Sequence, residues 1–526
     1  MSLLGIDIGT TNCKAGLFRE DGSVIRIAGR PTITGHDRNG MPFFDPQELW
    51  QTIAACIREV AGAFDGGRSG NGGRGLNNEL PISAIGIASM AESGVLVDAG
   101  TGEPKTMFIP WFDRRSAKEA EDIASEDDAF ARFQSTGLTS SFKYGLAKLL
   151  WLRRNQSAVL QHSVWLSAAD YIAYRLTGVM ATDYSLAGRT FAFDIRSKCW
   201  DEDWIRHFGM SPSLFPQPLP AGTAIGHTNG PGASQAGLPG GIPVAVAGHD
   251  HAAASIAVGA VNEGDTYDSI GTAETLVGME TDRPLTKEDF ASGLSYGLHI
   301  VPGLSFWMGG ISASGGSIEW MRGILGEQVP LSYEDVIRLV DKAPDGPTNI
   351  MYFPYLSGCG APMPDANARG AFIGLTADHG QPHLLKAVLE GAAFQMEAIR
   401  RAAARASGTA GGRIVAVGGG TRNEAWMRIK ADISGCRIDV PDLDEATLLG
   451  AALTAAIGTG IYRDAADAVR CAVNGRPARV YKPDNRRREA YCRIFEHGYL
   501  AIQQPLRDIY RQLTKELEKD EERETN

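Results

Sequence analysis

At 526 residues the chain exceeds one ordinary hydrophobic core, so two large domains with a cleft between them are expected. A net charge of −11 offers no basic face to nucleic acid, and no stretch reaches the apolar length of a membrane span. Cys13, Cys56, Cys199, Cys359, Cys436, Cys471 and Cys492 are scattered without a Cys-x-x-Cys pair, which argues against a disulfide framework or zinc site and for reduced thiols in the cytoplasm. Met1 leads straight into an apolar run with no basic or cleavable leader pattern. A small polar molecule is the expected partner.

Leu4, Ile6 and Ile8 alternate with Gly5, Asp7 and Gly9, the period of a strand with one buried face, which puts Asp7 on the other face. Gly9 allows a tight turn in which the amides and hydroxyls of Thr10, Thr11 and Asn12 can wrap a phosphate oxygen, with Lys14 adding a cation. Residues 14–18 return, the chain turns at Asp21-Gly22, and residues 24–27 complete a three-strand antiparallel meander. The plain alternative is a hairpin in which Asp7 only caps a turn. Asp45-Pro46 reads as the start of a helix whose face carries Leu49, Ile53, Ile57, Val60 and Phe64. Residues 66–78 are glycine-rich and read as a surface loop, since they lack the strand and helix flanks of a phosphate loop. Residues 81–89 and 94–98 are further strand candidates.

The second half repeats this pattern. An apolar run at 242–247 ends in Gly248-His249-Asp250, where the glycine is expected to admit substrate closely. Residues 265–270 lead into Gly271-Thr272, and 414–417 end in Gly418-Gly419-Gly420 with helices expected from Glu424 and over 446–458. One phosphate-binding hairpin per half suggests two related α/β domains closing on a nucleotide. The charged residues 515–526 are expected to fray. His249 and His251 could instead share a strand face and hold a metal, although the sequence places no third ligand.

Taken together these motifs resemble the FGGY family of carbohydrate kinases, within the actin-like ATPase superfamily, over roughly residues 3–480 in one continuous order, with the xylulose kinases as the nearest pattern. The resemblance implies two actin-like (ribonuclease H-like) α/β domains, 1–254 and 255–483, with an interdomain cleft, followed by a helical, charged tail over 484–526. It implies that Asp7 organises magnesium, that Thr10, Thr11 and Lys14 hold phosphate, and that Asp250 is the general base. Ser269-Ile270-Gly271-Thr272-Ala273 resembles the second phosphate motif, so Gly271 and Thr272 join the ATP site. Gly315 and the pair Gly419 and Asn423 resemble its nucleotide-facing and adenosine-binding positions. Thr182-Asp183-Tyr184-Ser185 and Glu390-Gly391 follow the family pattern and read as structural.

For the acceptor, Trp111, Asp113 and Arg115 stand at alternate positions and could share one face of an extended segment; a core Trp beside a local ion pair is the plain alternative. Met90, Glu92 and His251 complete the expected substrate set. Met90-Ala91 stands where xylulose kinases carry Met-His, Ala91-Glu92 where glycerol kinases carry Arg-Glu, and His251 replaces the usual amide. Lys143 and Tyr144 lie near a position that contributes to the sugar site in some members. The implied activity is ATP- and Mg2+-dependent phosphorylation of a hydroxyl on a small sugar, a ketopentose first and another ketose, deoxyketose or polyol next. An ATP-driven switch or a sugar-sensing regulator without turnover is the alternative of a different class. The expected partner is a sugar or polyol, with no nucleic acid or membrane, and a homodimer is compatible with the chain.

Overall fold

The computed structural model describes residues 1–62, 81–126, 128–326, 328–409 and 411–525. Phe64 and the glycine-rich stretch at 66–78 lie outside the described residues. The first half is built on β1 (Ser2–Ile8), β2 (Asn12–Arg19), β3 (Val24–Pro31), β4 (Ile82–Ser89), β5 (Ala224–His227) and β6 (Pro243–His249), in the order β5-β6-β4-β1-β2-β3. The second is built on β7 (Asp265–Ile270), β8 (Glu274–Thr281), β9 (Ser295–Leu298), β10 (Leu304–Ile311), β11 (Arg413–Val417), β12 (Arg437–Pro441) and β13 (Ala478–Tyr481), in the order β9-β10-β8-β7-β11-β12-β13. Both sheets contain the same five-strand unit, β3-β2-β1-β4-β6 and β10-β8-β7-β11-β12. In each, the first three strands run antiparallel as a meander and the last two are parallel additions. The hairpin registers match through Asp7 and Ser269: each stands one residue before the isoleucine of the closing strand pair, Ile8 opposite Cys13 and Ile270 opposite Glu274, so Asp268 takes the place of Ile6.

The principal helices are α1 (Pro46–Ala61), α2 (Gly145–Gln156), α3 (Asp250–Ala257), α4 (Gly315–Leu325), α5 (Gln381–Ser407), α6 (Glu424–Ser434), α7 (Ala446–Gly458), α8 (Asn485–Ile494) and α9 (Leu500–Thr525). Asp45 starts α1 as expected, its carboxylate accepting from the amides of Gln47 and Glu48. Leu49, Trp50, Ile53 and Ile57 then pack with Leu4, Ile6 and Ile8.

The opposite face of β1, expected to be open, is covered by α7. A Cβ on Gly5 would sit 1.9 Å from the Leu448 carbonyl oxygen, and one on Gly86 1.8 Å from that of Ala451. The strand glycines are therefore there because a helix backbone touches the sheet. A helix from the second half of the chain thus packs on the first sheet, and also on α3, where a Cβ on Gly450 would meet the Ala253 oxygen at 1.8 Å. The boundary expected at 254 falls inside α3. In the tail, Tyr491, Phe495 and Tyr499 are buried against Phe394 of α5. The charged end, expected to fray, stays helical to Thr525. All seven cysteines are free, and among the described residues no helix is long and apolar enough to cross a membrane.

Candidate active site

The turn between β1 and β2 is closed by the Gly9 amide on the Asn12 carbonyl at 3.0 Å, leaving Thr11 exposed and Thr10 half-buried. Lys14 lies opposite Asp7 in the β1–β2 register, yet its ammonium group is taken by Glu445, at 2.7 and 2.8 Å from the two carboxylate oxygens. Asp7 Oδ1 is buried with no hydrogen-bond partner. Burial, and next the charge of Asp250, push the Asp7 carboxyl well above its ordinary range, while Lys14 pulls it down. Two neighbouring carboxylates with an orphaned oxygen form a donor set suited to a hard divalent cation such as magnesium.

Asp250 is the first residue of α3, at the end of β6. Its Oδ1 accepts the His251 amide at 2.7 Å and lies 3.2 Å from His249 Nε2. The His249 ring is buried, which holds it neutral with a pKa pushed down to about 3. His249, Asp250 and His251 present ligand atoms within 4.8 Å of one another, with His249 Nε2 on Asp250 and His249 Nδ1 buried without a hydrogen-bond partner.

Gly248 was expected to admit substrate. Instead, the space above it is filled, since a Cβ there would meet Ser185 Oγ at 2.5 Å and Asp183 Oδ2 at 3.0 Å. Ser185 Oγ also accepts the His249 amide at 3.0 Å, and Asp183 caps the short helix Tyr184–Gly188. The Thr182–Ser185 motif is thus structural, and what it supports is the Asp250 turn.

In the second sheet Gly271 and Thr272, expected at the nucleotide, are exposed at the β7–β8 turn. Gly315 and Gly316, at the start of α4, donate to the carbonyls of Gly271 and Thr272 at 3.1 and 2.9 Å. A Cβ at Gly315 would lie 2.4 Å from the Gly271 oxygen, so this glycine supports the turn from behind. Gly419 has no atom within 4 Å of where a Cβ would stand, which leaves its backbone open to a flat ligand. Asn423 caps α6 through its side-chain oxygen, which accepts the Trp426 amide at 3.1 Å and leaves its amide nitrogen without a partner among the described residues. Beneath the turn, Lys430 is fully buried and bonds Asp268 at 3.0 Å and Glu274 at 2.6 Å.

The acceptor residues fall into two groups. The Trp111 indole N–H donates to Thr10 Oγ1 at 2.9 Å, and Met90 Sδ lies 3.6 Å from the same oxygen, so both border the phosphate turn. Lys143 Nζ stands 5.4 Å from the Trp111 ring centre. Glu92 adopts a left-handed backbone, φ 61°, and its Oε1 is gripped by Arg189 at 2.5 and 2.7 Å. His251 is half-buried, its ring 6.0 Å from that of Tyr267.

Asp113, by contrast, is 2% exposed with both oxygens on Arg115 at 2.6–2.7 Å. The segment is a turn, fixed by the Asp113 amide on the Pro110 carbonyl at 3.2 Å, so Trp111, Asp113 and Arg115 do not share an extended face. The local ion pair is the arrangement found. Sequence reasoning missed Glu445, Arg189, Lys148 and Lys430, each of which meets its partner from a distant part of the chain and carries no local motif.

Two copies of one sheet, each closed by a glycine-threonine hairpin turn, form an actin-like fold. The N-terminal domain of the FGGY family of carbohydrate kinases matches residues 2–257 and its C-terminal domain residues 267–459. Curated relatives include a glycerol kinase of Gloeobacter violaceus, 30% identical over 89% of this chain and 90% of that protein. Another is a xylulose kinase of Staphylococcus xylosus, 26% identical over 87% and 90%. A solved xylulose kinase from Rhodospirillum rubrum superposes with a TM-score of 0.86 at 27% identity, covering 97% of this chain and all of that one. The chain belongs to the FGGY family of carbohydrate kinases and is a phosphotransferase with an alcohol group as acceptor.

Proposed function

We propose that the chain transfers the terminal phosphoryl group of ATP to a hydroxyl of a small open-chain sugar, a ketopentose first, with Asp250 as general base. The observation that carries this reading is the carboxylate pair: Asp250 stands close enough for its charge to act on Asp7, and Asp7 keeps an unpartnered buried oxygen. Magnesium, held through Asp7, would neutralise phosphate charge. Asp250 Oδ1 is fixed by the His251 amide and His249, which leaves Oδ2 to accept the acceptor's proton. Thr10, Thr11 and Lys14 on one side and Gly271 and Thr272 on the other would hold phosphates, with Gly419 and Asn423 against the adenosine. Lys14 would do so while anchored by Glu445.

Met90, Glu92, Trp111 and His251 would contact the sugar. Glu92 spends Oε1 on Arg189 and keeps Oε2 for hydroxyls, while Ala91 adds no bulk beside it. A ketopentose suits this wider pocket. Glycerol is the second reading, favoured by the 30% identical relative and by the resemblance of Ala91-Glu92 to the Arg-Glu pair of glycerol kinases. Screening pentuloses, deoxyhexuloses, hexuloses and polyols for ADP release ranks the acceptors. Asp250→Asn is expected to abolish phosphoryl transfer while nucleotide binding stays largely intact, and an active, stable variant would remove Asp250 from the base role.

A further inference from the structure

Lys148 of α2 is 0% exposed and no carboxylate meets its ammonium group among the described residues. Its Nζ donates to three backbone carbonyls: Glu92 at 2.5 Å, Pro110 at 3.0 Å and Ile109 at 3.3 Å. The first belongs to the left-handed Glu92 turn after β4, and the other two lead directly into Trp111. Resting on the reading of Glu92 and Trp111 as acceptor residues, we propose that Lys148 is a positioning residue. It clamps these two turns together and so sets acceptor affinity without touching the acceptor.

The physical case starts from Glu92. A non-glycine residue at φ 61° is held there only when its surroundings over-determine it. Arg189 fixes its side chain and Lys148 fixes its carbonyl, so the backbone is pinned from both ends. An ammonium group has three N–H donors for the three carbonyls, whereas a neutral amine has two. Burial pushes the Lys148 pKa down to about 7; the charges facing it are Glu92 and Asp113, which favour the ammonium form, and Arg115 and Lys143, which oppose it. Near neutral pH the clamp therefore loses one of its donors as pH rises. Neither phosphate hairpin touches Lys148; the Trp111 indole N–H on Thr10 links the clamp to one of them, so the change is expected to reach the acceptor directly and the nucleotide only through that single bond.

The experiment is the pH dependence, from 6 to 9, of kcat and of KM for the best acceptor and for ATP, in the full chain and in Lys148→Met and Lys148→Arg. Acceptor KM in the wild type is expected to rise about five- to tenfold from pH 6.5 to 8.5, with ATP KM flat. Lys148→Met is expected to start about tenfold higher in acceptor KM and to lose the pH dependence, and Lys148→Arg to recover part of the affinity without titrating. A flat acceptor KM in the wild type, or a Lys148→Met change that moves both KM values alike, overturns the inference. If Lys148→Met does not fold, the wild-type profile alone decides. Glu92→Gln is measured alongside: if it raises acceptor KM while the wild-type profile is flat, the Lys148 inference fails and the acceptor site stands. If Glu92→Gln has no effect and the profile is flat, both fail.

Discussion

Each hairpin carries an acid near its turn, Asp7 beside the closing strand pair and Asp268 one residue further back and so on the other face of its strand, and the two are used in opposite ways. Asp7 and Asp268 each keep one buried oxygen without a hydrogen bond, but Asp7 makes no ion pair among the described residues, the lysine beside it on β2 being drawn off to Glu445. Asp268 is fully buried and meets Lys430, which also bonds Glu274, while Glu274 accepts from Ser314 at 2.6 Å. Ser314 precedes the glycines that hold the carbonyls of Gly271 and Thr272, so this buried network fixes the second turn from below. A duplicated hairpin therefore does not duplicate its acid. What separates the two acids is the strand face each takes and whether the fold supplies a counter-ion: Asp268 has Lys430, and Asp7 has none bonded to it among the described residues.

The largest test of that contrast exchanges the two outcomes. Lys430→Met leaves two buried carboxylates without their cation and is expected to cost about 3–5 kcal/mol of stability. Asp7→Asn removes a carboxylate that the fold leaves uncompensated, so stability is expected to hold or rise. Phosphoryl transfer should nevertheless fall on the order of 10²–10³-fold. Urea unfolding of both variants beside a coupled ADP assay makes the comparison. Equal destabilisation by the two substitutions would mean that Asp7 is as structural as Asp268.

Much of the fold could be read locally, because strands such as β1, β6 and β11 are apolar runs closed by a small turn. Asp45-Pro46 states a helix start in two residues. The same locality gave the Gly9 turn, the Asp250 strand end and the Gly418-Gly419-Gly420 turn. The partners of these groups were not legible: Lys14 and Glu445 are 431 positions apart, Asp268 and Lys430 162, and Glu92 and Arg189 97, so no spacing encodes them. The packing of α7 on the first sheet left only an indirect trace, in Gly5 and Gly86. The acceptor segment misled for a physical reason. Alternation at Trp111, Asp113 and Arg115 has the period of a strand, but the Pro110 carbonyl captures the Asp113 amide and Arg115 folds back onto Asp113.

A smaller effect sharpens the view that the second half spends its acids on structure. Glu390 is buried and accepts from the amide and hydroxyl of Thr348 and from the Tyr491 hydroxyl. Burial raises its pKa from 4.5 to about 7. The native state therefore binds this proton more tightly than the unfolded chain does. The stability it contributes is fully present below about pH 4.5 and is lost as pH rises through 7. Glu390→Gln keeps the shape and removes the titration. Relative to wild type, the variant is expected to gain about 2–3 kcal/mol between pH 4.5 and 7.5, read from urea midpoints. Parallel profiles for the two proteins would show that Glu390 does not titrate across this window.

The smallest effect separates the two turns themselves. Thr10 is tied to the acceptor side through the Trp111 indole N–H, whereas the Thr272 hydroxyl makes no hydrogen bond among the described residues. Trp111→Phe keeps the aromatic face and deletes the donor, which is expected to cost about 1 kcal/mol, or roughly fivefold in kcat/KM for the acceptor. Thr10→Val deletes the other partner of the same bond. If that bond couples the phosphate turn to the sugar site, the double variant Thr10→Val with Trp111→Phe falls short of the sum of the single effects. Thr272→Val with Trp111→Phe should instead be additive, because those residues share no contact. Additivity in both pairs would leave the first turn no more connected to the acceptor than the second, and the asymmetry between the hairpins would then rest on their acids alone.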